Sequence, residues 1–160
     1  MKQQLTTLIV TVQNRPGVLY KISGLIRKRR FNIESLTVSH TETTGISRFT
    51  IVVNGDEMVV EKMSKQLYRI IEVLKVQEVA DKNMVARELG LFKVSTAKTG
   101  SRLEISTIAR HFRARVVQVA EKHMILELTG KEDKIDALRA VLRKFGMIDF
   151  VRTGRTALVK

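Results

Sequence analysis

Apolar and polar residues alternate in the segment "LTTLIVTV" near the start of the chain. Leu8, Val10 and Val12 share one face at a spacing of two, which predicts a β-strand buried on one side. After "NRPG" the apolar spacing changes to that of an amphipathic helix. The helical stripe consists of Val18, Ile22, Leu25 and Ile26. The pattern therefore predicts a strand, a tight turn and a helix.

The rest of the first half continues with two strands, a helix and a strand. "NIESLTVSH" and "SRFTIVV" are the predicted strands, with Phe49, Ile51 and Val53 on one face. "NGDE" leads into a helix, and "VLKVQEV" closes the unit as a strand. The helical stripe consists of Val59, Met63, Leu67 and Ile70. The predicted order is β-α-β-β-α-β.

The second half repeats this order about 75 residues later. "ARELGLFKVS" is a predicted strand, "SRLE" has the spacing of a helix-capping box, and "ARVVQVA" and "KHMILELTG" are strands. A second capping box, "TGKE", opens another helix; Gly146 is placed to end it, and "MIDFVRT" closes the unit. The helical stripes consist of Ile105, Ile108, Ala109 and Phe112, and of Ile135, Leu138, Val141, Leu142 and Phe145.

The repeat predicts an α+β protein with two tandem ferredoxin-like domains. The expected division is a first domain of residues 1–79, a linker at 80–84 and a second domain of residues 85–160. Each domain is small, so we expect burial against the other domain or a second chain.

The charge of the chain is strongly positive, +13, from 29 Lys and Arg against 16 Asp and Glu. This suits an acidic partner, but the basic residues are spread along the chain, which favours a role in solubility. The one basic run, "RKRR" at residues 27–30, ends a predicted helix, where cations suit the helix dipole. The chain has no cysteine, and no segment has the pattern of a signal peptide or membrane span, so we expect a cytoplasmic protein.

No catalytic or metal-binding pattern stands out. The three histidines, His40, His111 and His123, are far apart in sequence and lack acidic neighbours at metal-ligand spacing, so we expect no metal site and no enzyme activity in this chain alone. An RNA-recognition module would need aromatic residues on its central strands, and "SRFTIVV" has only Phe49, in register with core residues. Nucleic-acid binding through base stacking is therefore disfavoured.

The turn "NRPGVL" contains the only proline of the chain. Pro16 suits the first turn of a helix, and the side chain of Asn14 is a candidate helix cap. Gly17 has no evident role in such a turn. A missing side chain there would let a carboxylate approach the N–H groups at the positive end of the helix. The residues alone leave two readings open, a plain turn and a small-anion site.

Several motifs, in order along nearly the whole chain, resemble one family. They are "PGVL", "RRFNIESLTV", "GDE", "EKMSKQLYRIIEVLKV", "FRARVVQV", "ELTG" and "VRTG". The first half looks like an ACT domain, and the set resembles the small regulatory subunit of acetohydroxyacid synthase, also called acetolactate synthase.

This resemblance implies a non-catalytic subunit with no cofactor of its own. It would activate a catalytic subunit carrying thiamine diphosphate, Mg²⁺ and FAD, and confer feedback inhibition by a branched-chain amino acid, most often valine. ACT domains of this kind pair into homodimers with the effector at the interface. The residues carried over from one chain are Asn14, Gly17, Val18 and Leu19, and those from the other chain are Asn32 and Ile33.

Two positions depart from the pattern expected of the family: Gln118 and Ala86 stand where acidic residues are expected. Both lie in the predicted second domain and leave the effector turn untouched. The alternative functions are a free-standing amino-acid sensor with an ACT domain and a basic nucleic-acid-binding module.

Overall fold

The computed structural model describes residues 5–160 and divides into two compact units. The first unit contains the residues up to Ala86 together with Arg155–Lys160, and the second contains Arg87–Gly154. The elements of the chain are β1 (Leu5–Gln13), α1 (Val18–Lys28), β2 (Ile33–His40), β3 (Ile46–Asn54), α2 (Glu57–Leu67), β4 (Val73–Val79), β5 (Met84–Ser95), α3 (Ser101–Phe112), β6 (Arg115–Val119), β7 (His123–Gly130), α4 (Glu132–Leu142), β8 (Met147–Arg152) and β9 (Thr156–Val159).

The first unit is an antiparallel four-stranded sheet in the order β2-β3-β1-β4. Alternate residues of β1, including Leu8 and Val10, are fully buried in one core with Ile22 of α1 and Met63 of α2. Phe49 belongs to this core and is 3% exposed, so it is a packing residue and does not offer a stacking surface for a base. The predicted β-α-β-β-α-β order is confirmed for this unit.

The second unit repeats the plan with the strand order β6-β7-β5-β8. Its core contains Phe92 of β5, Ile105 of α3, Leu126 of β7 and Leu138 of α4, all fully buried. The apolar stripes predicted for α3 and α4 face this core, except that Val141 is 37% exposed. Gly146 follows a 3₁₀ turn at Arg143–Phe145, with a φ of 89°, and stops the helical segment as predicted.

The last strand, β9, was not predicted and changes the domain division. It pairs with β5, and Arg155 before it is buried against the first unit. One guanidinium nitrogen of Arg155, Nη1, donates to Thr7 Oγ1 at 2.8 Å and to Asp81 Oδ1 at 3.0 Å. These contacts place Arg155–Lys160 in the first unit, whereas we expected the second domain to span residues 85–160. The predicted linker, residues 80–84, contains a 3₁₀ turn and the first residue of β5.

Both predicted capping boxes are wrong. The N-cap of α3 is Gly100, and the hydroxyl of Ser101 instead donates to the carbonyl of Lys98 at 2.6 Å. Helix α4 begins after Lys131, with no side-chain cap, because Thr129 is still part of β7. In α2, by contrast, Asp56 caps the helix by accepting from Val59 N at 2.8 Å. The side-chain cap thus occurs at a helix that lacks the capping-box spacing, while the two helices that have the spacing have no side-chain cap.

Candidate functional site

The turn between β1 and α1 is a type II β-turn of residues 15–18. Val18 N donates to Arg15 O at 3.3 Å, and Gly17 has φ 85° and ψ −7°, which are the values that the third residue of this turn requires. Residues with a side chain rarely adopt this conformation, so the backbone itself demands glycine. The sequence argument that the turn did not need Gly17 was therefore wrong. Pro16 stands at the second position, where proline is favoured.

The first turn of α1 presents backbone N–H groups to solvent. Gly17 is the N-cap and has no side-chain cap, and the helical bonding begins with Lys21 N, which donates to Gly17 O at 3.0 Å. The N–H groups of Leu19 and Tyr20 precede this bond, so no carbonyl of α1 can accept from them. A Cβ atom at Gly17 would meet nothing within 4 Å. The turn is thus open to an anion, although its glycine is explained without one.

Asn14 does not cap the helix as predicted. Its backbone N–H donates to Gly45 O at 2.7 Å, and its side-chain Nδ2 lies 3.4 Å from Nδ1 of His40. Because an amide nitrogen can only donate, this bond uses His40 as the acceptor and leaves Oδ1 of Asn14 to accept from another group. Sequence reasoning missed His40, since nothing in the spacing of 26 residues indicates that the end of β2 meets the end of β1.

Asn32 and Ile33 lie at the opposite end of the same sheet. Ile33 is aligned with Val53 of β3, which is in turn aligned with Thr6, whereas the end of β1 at Gln13 is aligned with Ile46. Seven residues of β1 separate these two levels, or roughly 24 Å at about 3.4 Å per residue. Within one chain the two predicted halves of the site are therefore not brought together.

The side chains of the predicted site residues differ in what they can contact. Val18 is 4% exposed and belongs to the core, so only its backbone is near the turn surface. Leu19 is 48% exposed, and Ile33 is half-buried. Asn32 is exposed, and its Nδ2 donates to Glu34 Oε1 at 2.7 Å, which leaves its Oδ1 as an acceptor. Each asparagine thus presents an amide oxygen.

The basic run Arg27–Arg30 is exposed at the end of α1. Arg27 and Lys28 lie in the last helical turn, where cations stabilise the helix dipole. Arg29 Nη2 donates to Gln66 Oε1 at 3.2 Å. Within residues 5–160, no group of three or more acidic or histidine side chains is arranged to hold a metal ion, and no helix is long and apolar enough to cross a membrane.

Comparison with known proteins settles the family. Residues 8–75 match the model described as "AHAS small subunit-like ACT domain", and residues 87–160 match the model described as "Small subunit of acetolactate synthase". The chain is 47% identical over 154 residues to the probable acetolactate synthase small subunit of Archaeoglobus fulgidus, with 96% of each chain covered. The chain belongs to the acetolactate synthase small-subunit family.

Two further relatives are also similar to this chain over most of their length. The acetolactate synthase small subunit of Bacillus subtilis is 46% identical, covering 96% of this chain and 89% of that one. The crystal structure of the acetolactate synthase small subunit from Thermotoga maritima superposes with a TM-score of 0.90 at 34% identity, covering 98% of both chains. The resemblance inferred from the motifs is confirmed, as is the fold of two β-α-β-β-α-β units, the first of them an ACT domain.

The two positions where this small subunit departs from the expected pattern have different surroundings. Gln118 is exposed on β6, next to a shift in the pairing of β6 with β7. Ala86 is partly buried against a small apolar cluster that includes Ile9 and Val79. A carboxylate at the latter position would enter an apolar environment, which gives a physical reason for alanine in this chain.

Proposed function

We propose that this chain is the non-catalytic regulatory subunit of an acetolactate synthase, working in the cytoplasm in branched-chain amino-acid biosynthesis. It binds the catalytic subunit, raises its activity and makes it sensitive to feedback inhibition by a branched-chain amino acid, with valine as the expected effector. The catalytic subunit carries thiamine diphosphate, Mg²⁺ and FAD, and this chain supplies none of them. The family assignment supports this role.

The effector site that we propose is formed by two copies of the chain. Two groups of residues, here called half-sites, would form it: the turn residues Asn14, Gly17, Val18 and Leu19, and the pair Asn32 and Ile33. The supporting observation is that these half-sites lie at opposite ends of one sheet whose edge strand is β2. If two copies pair through β2 about a two-fold axis between Leu36 and Thr37, Ile33 of one copy lies opposite His40 of the other. Because His40 bonds to Asn14, the two half-sites then meet.

The chemistry of such a site suits an aliphatic amino acid. The N–H groups of Leu19 and Tyr20, at the positive end of α1, bind the carboxylate. The amide oxygens of Asn14 and of Asn32 from the second copy accept from the ammonium group. The side chains of Leu19 and Ile33 contact the aliphatic group, which gives a preference for valine, leucine or isoleucine over polar amino acids.

The regulation follows from linkage between the two binding events. The effector stabilises one arrangement of the paired ACT domains, and the catalytic subunit is activated by the other. Each of the two, the effector and the catalytic subunit, then weakens binding of the other by the same coupling free energy, typically about 1–3 kcal/mol.

The deciding experiment combines this chain with its catalytic subunit and measures acetolactate formation with and without valine. Activation that valine reverses, with half-maximal inhibition near the dissociation constant for valine measured by calorimetry, is the expected result. No activation of any catalytic subunit from the same genome would refute the proposed role. Retention of RNA or DNA at moderate salt, without activation, would instead favour the nucleic-acid-binding alternative.

A further inference from the structure

An open cleft of about 400 Å³ lies beside α1 in the first unit. Its walls come from α1 and from the connection between α2 and β4. The residues that define this α1 cleft are Tyr20, Gly24, Arg69, Ile71 and the ion pair of Lys21 with Glu72. Apart from the backbone N–H of Tyr20, none of these groups is used by the effector site proposed above, so the side chains of the cleft call for a separate explanation.

Gly24 is a helix-interior glycine that the fold does not require. It lies on the exposed side of α1, and a Cβ atom added to it would meet nothing within 4 Å. Glycine is the least favourable residue in a helix interior apart from proline, and neither a tight contact nor a left-handed backbone accounts for it here. What glycine does provide on a helix surface is room for another chain to approach the backbone closely.

Two large apolar side chains project beside Gly24. Tyr20 is 81% exposed and Ile71 is 90% exposed, and both line the α1 cleft. Apolar residues that are exposed together in this way mark surfaces that a protein partner covers. A small molecule in the open cleft would leave most of both side chains in water, whereas a protein surface would bury them.

The charge at the cleft indicates what the partner presents. Arg69 lines the cleft and, among the side chains that the structure describes, takes part in no ion pair. A partner that desolvates this guanidinium needs a carboxylate opposite it. A second copy of this chain, with its net charge of +13, is a poor source of such an acidic surface.

The floor of the cleft is bonded to both ends of the effector turn. The ion pair joins Lys21 Nζ to Glu72 Oε1 at 2.5 Å, and Lys21 N donates to Gly17 O at 3.0 Å. On the other side, Gln13 N donates to Glu72 O at 2.8 Å. A partner seated in the cleft and an effector at the turn would therefore act on the same helical turn, as a regulatory interface requires.

We propose that the α1 cleft is a docking site for the catalytic subunit, which inserts an apolar side chain between Tyr20 and Ile71 and sets a carboxylate against Arg69. This inference rests on the proposed function and adds the place on the chain where the partner binds. Docking here fixes the positions of Lys21 and Glu72 and, through their hydrogen bonds, the effector turn. Binding of the catalytic subunit and binding of the effector can then oppose each other through this turn.

The test compares three variants of the full chain in complex with the catalytic subunit. Gly24→Gln and Ile71→Glu alter the cleft. Leu103→Glu is the control, because Leu103 is 72% exposed on α3 at the place that corresponds to Tyr20 on α1. We measure the dissociation constant for the catalytic subunit, the activation, and the melting temperature of each small subunit alone.

Gly24→Gln is expected to weaken binding at least about tenfold while raising the melting temperature by about 1–3 °C, because glutamine favours the helix. Ile71→Glu is expected to weaken binding by a similar factor with an unchanged melting temperature, and Leu103→Glu by less than about twofold. A substitution that raises the melting temperature while it weakens binding, as expected for Gly24→Gln, is not expected at a residue with a purely structural role.

Several outcomes would overturn the inference. If the wild-type chain activates the catalytic subunit and both cleft variants do so with unchanged affinity, docking occurs elsewhere and the proposed function still stands. If the cleft variants lose only valine binding, or only binding to RNA, the cleft serves a different ligand. If the wild-type chain does not bind the catalytic subunit at all, the proposed function fails, and this inference with it.

Discussion

The first helix of each unit follows the same β-turn, but the two turns have different surroundings. In the first unit Val18 N donates to Arg15 O, and Gly17 has a φ of 85°. In the second unit Ser101 N donates to Lys98 O at 3.1 Å, and Gly100 has a φ of 79°. The same turn geometry therefore accounts for both glycines.

The difference between the turns lies in the residue two positions after the glycine. In the second unit this is Arg102, whose Nη2 donates to the carbonyls of Ala120 and Glu121 at 2.8 and 2.5 Å and ties the helix to the β6–β7 connection. In the first unit it is Leu19, an aliphatic side chain that is 48% exposed. The comparison teaches that the turn is a property of the repeated fold, while an effector site depends on what its neighbours leave uncovered.

The largest expected effect comes from placing a carboxylate on the first turn. Gly17→Asp is expected to raise the valine concentration for half-inhibition at least about tenfold, which corresponds to about 1.4 kcal/mol, by repelling the effector carboxylate. The matched variant Gly100→Asp has the same backbone strain, about 1–2 kcal/mol. Both should lower the melting temperature, and only the first should raise the valine concentration for half-inhibition of the reconstituted enzyme. Equal loss of inhibition in both variants would show that backbone strain, not the site, is responsible.

The next effect concerns the half-site at the far end of the sheet. Asn32→Ala removes an amide oxygen from the proposed ammonium site, with an expected loss of valine affinity of about 1 kcal/mol, or roughly fivefold. Asn83→Ala, another exposed asparagine of the first unit, is the control. Calorimetry of valine binding to the homodimer measures both. Unchanged affinity in Asn32→Ala would remove the second copy from the site.

A smaller effect is expected in the second turn. Arg102→Leu gives this turn the residue type of the first and removes two charge-assisted hydrogen bonds to backbone carbonyls. The free energy of unfolding should fall by about 1 kcal/mol, since the side chain is exposed. Urea denaturation measures this change. Valine inhibition should not change, and any large change would link the second turn to the effector site.

The smallest effect is a pH dependence that belongs to the first unit. The hydrogen bond from Lys21, followed by a backbone N–H of Glu72 itself, lowers the pKa of Glu72 from its ordinary value of 4.5. Since the folded-state pKa is lowered, the stabilisation is complete well above pH 4.5 and is lost as the pH falls through the folded-state pKa. The difference in stability between wild type and Glu72→Gln should therefore shrink below pH 4.5.

The control for this pH dependence is the corresponding helix of the second unit. Glu104 occupies the place of Lys21 and pairs with Lys144 at 3.7 Å, with both side chains more than half exposed. Exposed pairs of this kind contribute little, so Glu104→Gln should leave the stability nearly unchanged. Urea denaturation at several pH values separates the two cases.

The sequence predicted the elements well because their signal is local. The stripe of Val18, Ile22 and Ile26 on α1 is buried as expected, and the repeat of the element order was visible in the apolar spacing. The failures depended on backbone geometry or distant contacts. The left-handed Gly17 was a missed local signal, since Pro followed by Gly at the two central positions is typical of a type II turn. The contact of Asn14 with His40, by contrast, depends on how β1 and β2 are arranged around β3.

The return of the last strand to the first unit affects the order in which the protein folds during synthesis. The residues from Arg155 onward leave the ribosome only after the whole second unit, Arg87–Gly154, has been made. Until then Thr7 has no guanidinium donor, and Ile9 lacks the contact with Ala157 that completes its small cluster. The first unit therefore begins to form first and is completed last, only when synthesis has passed β9.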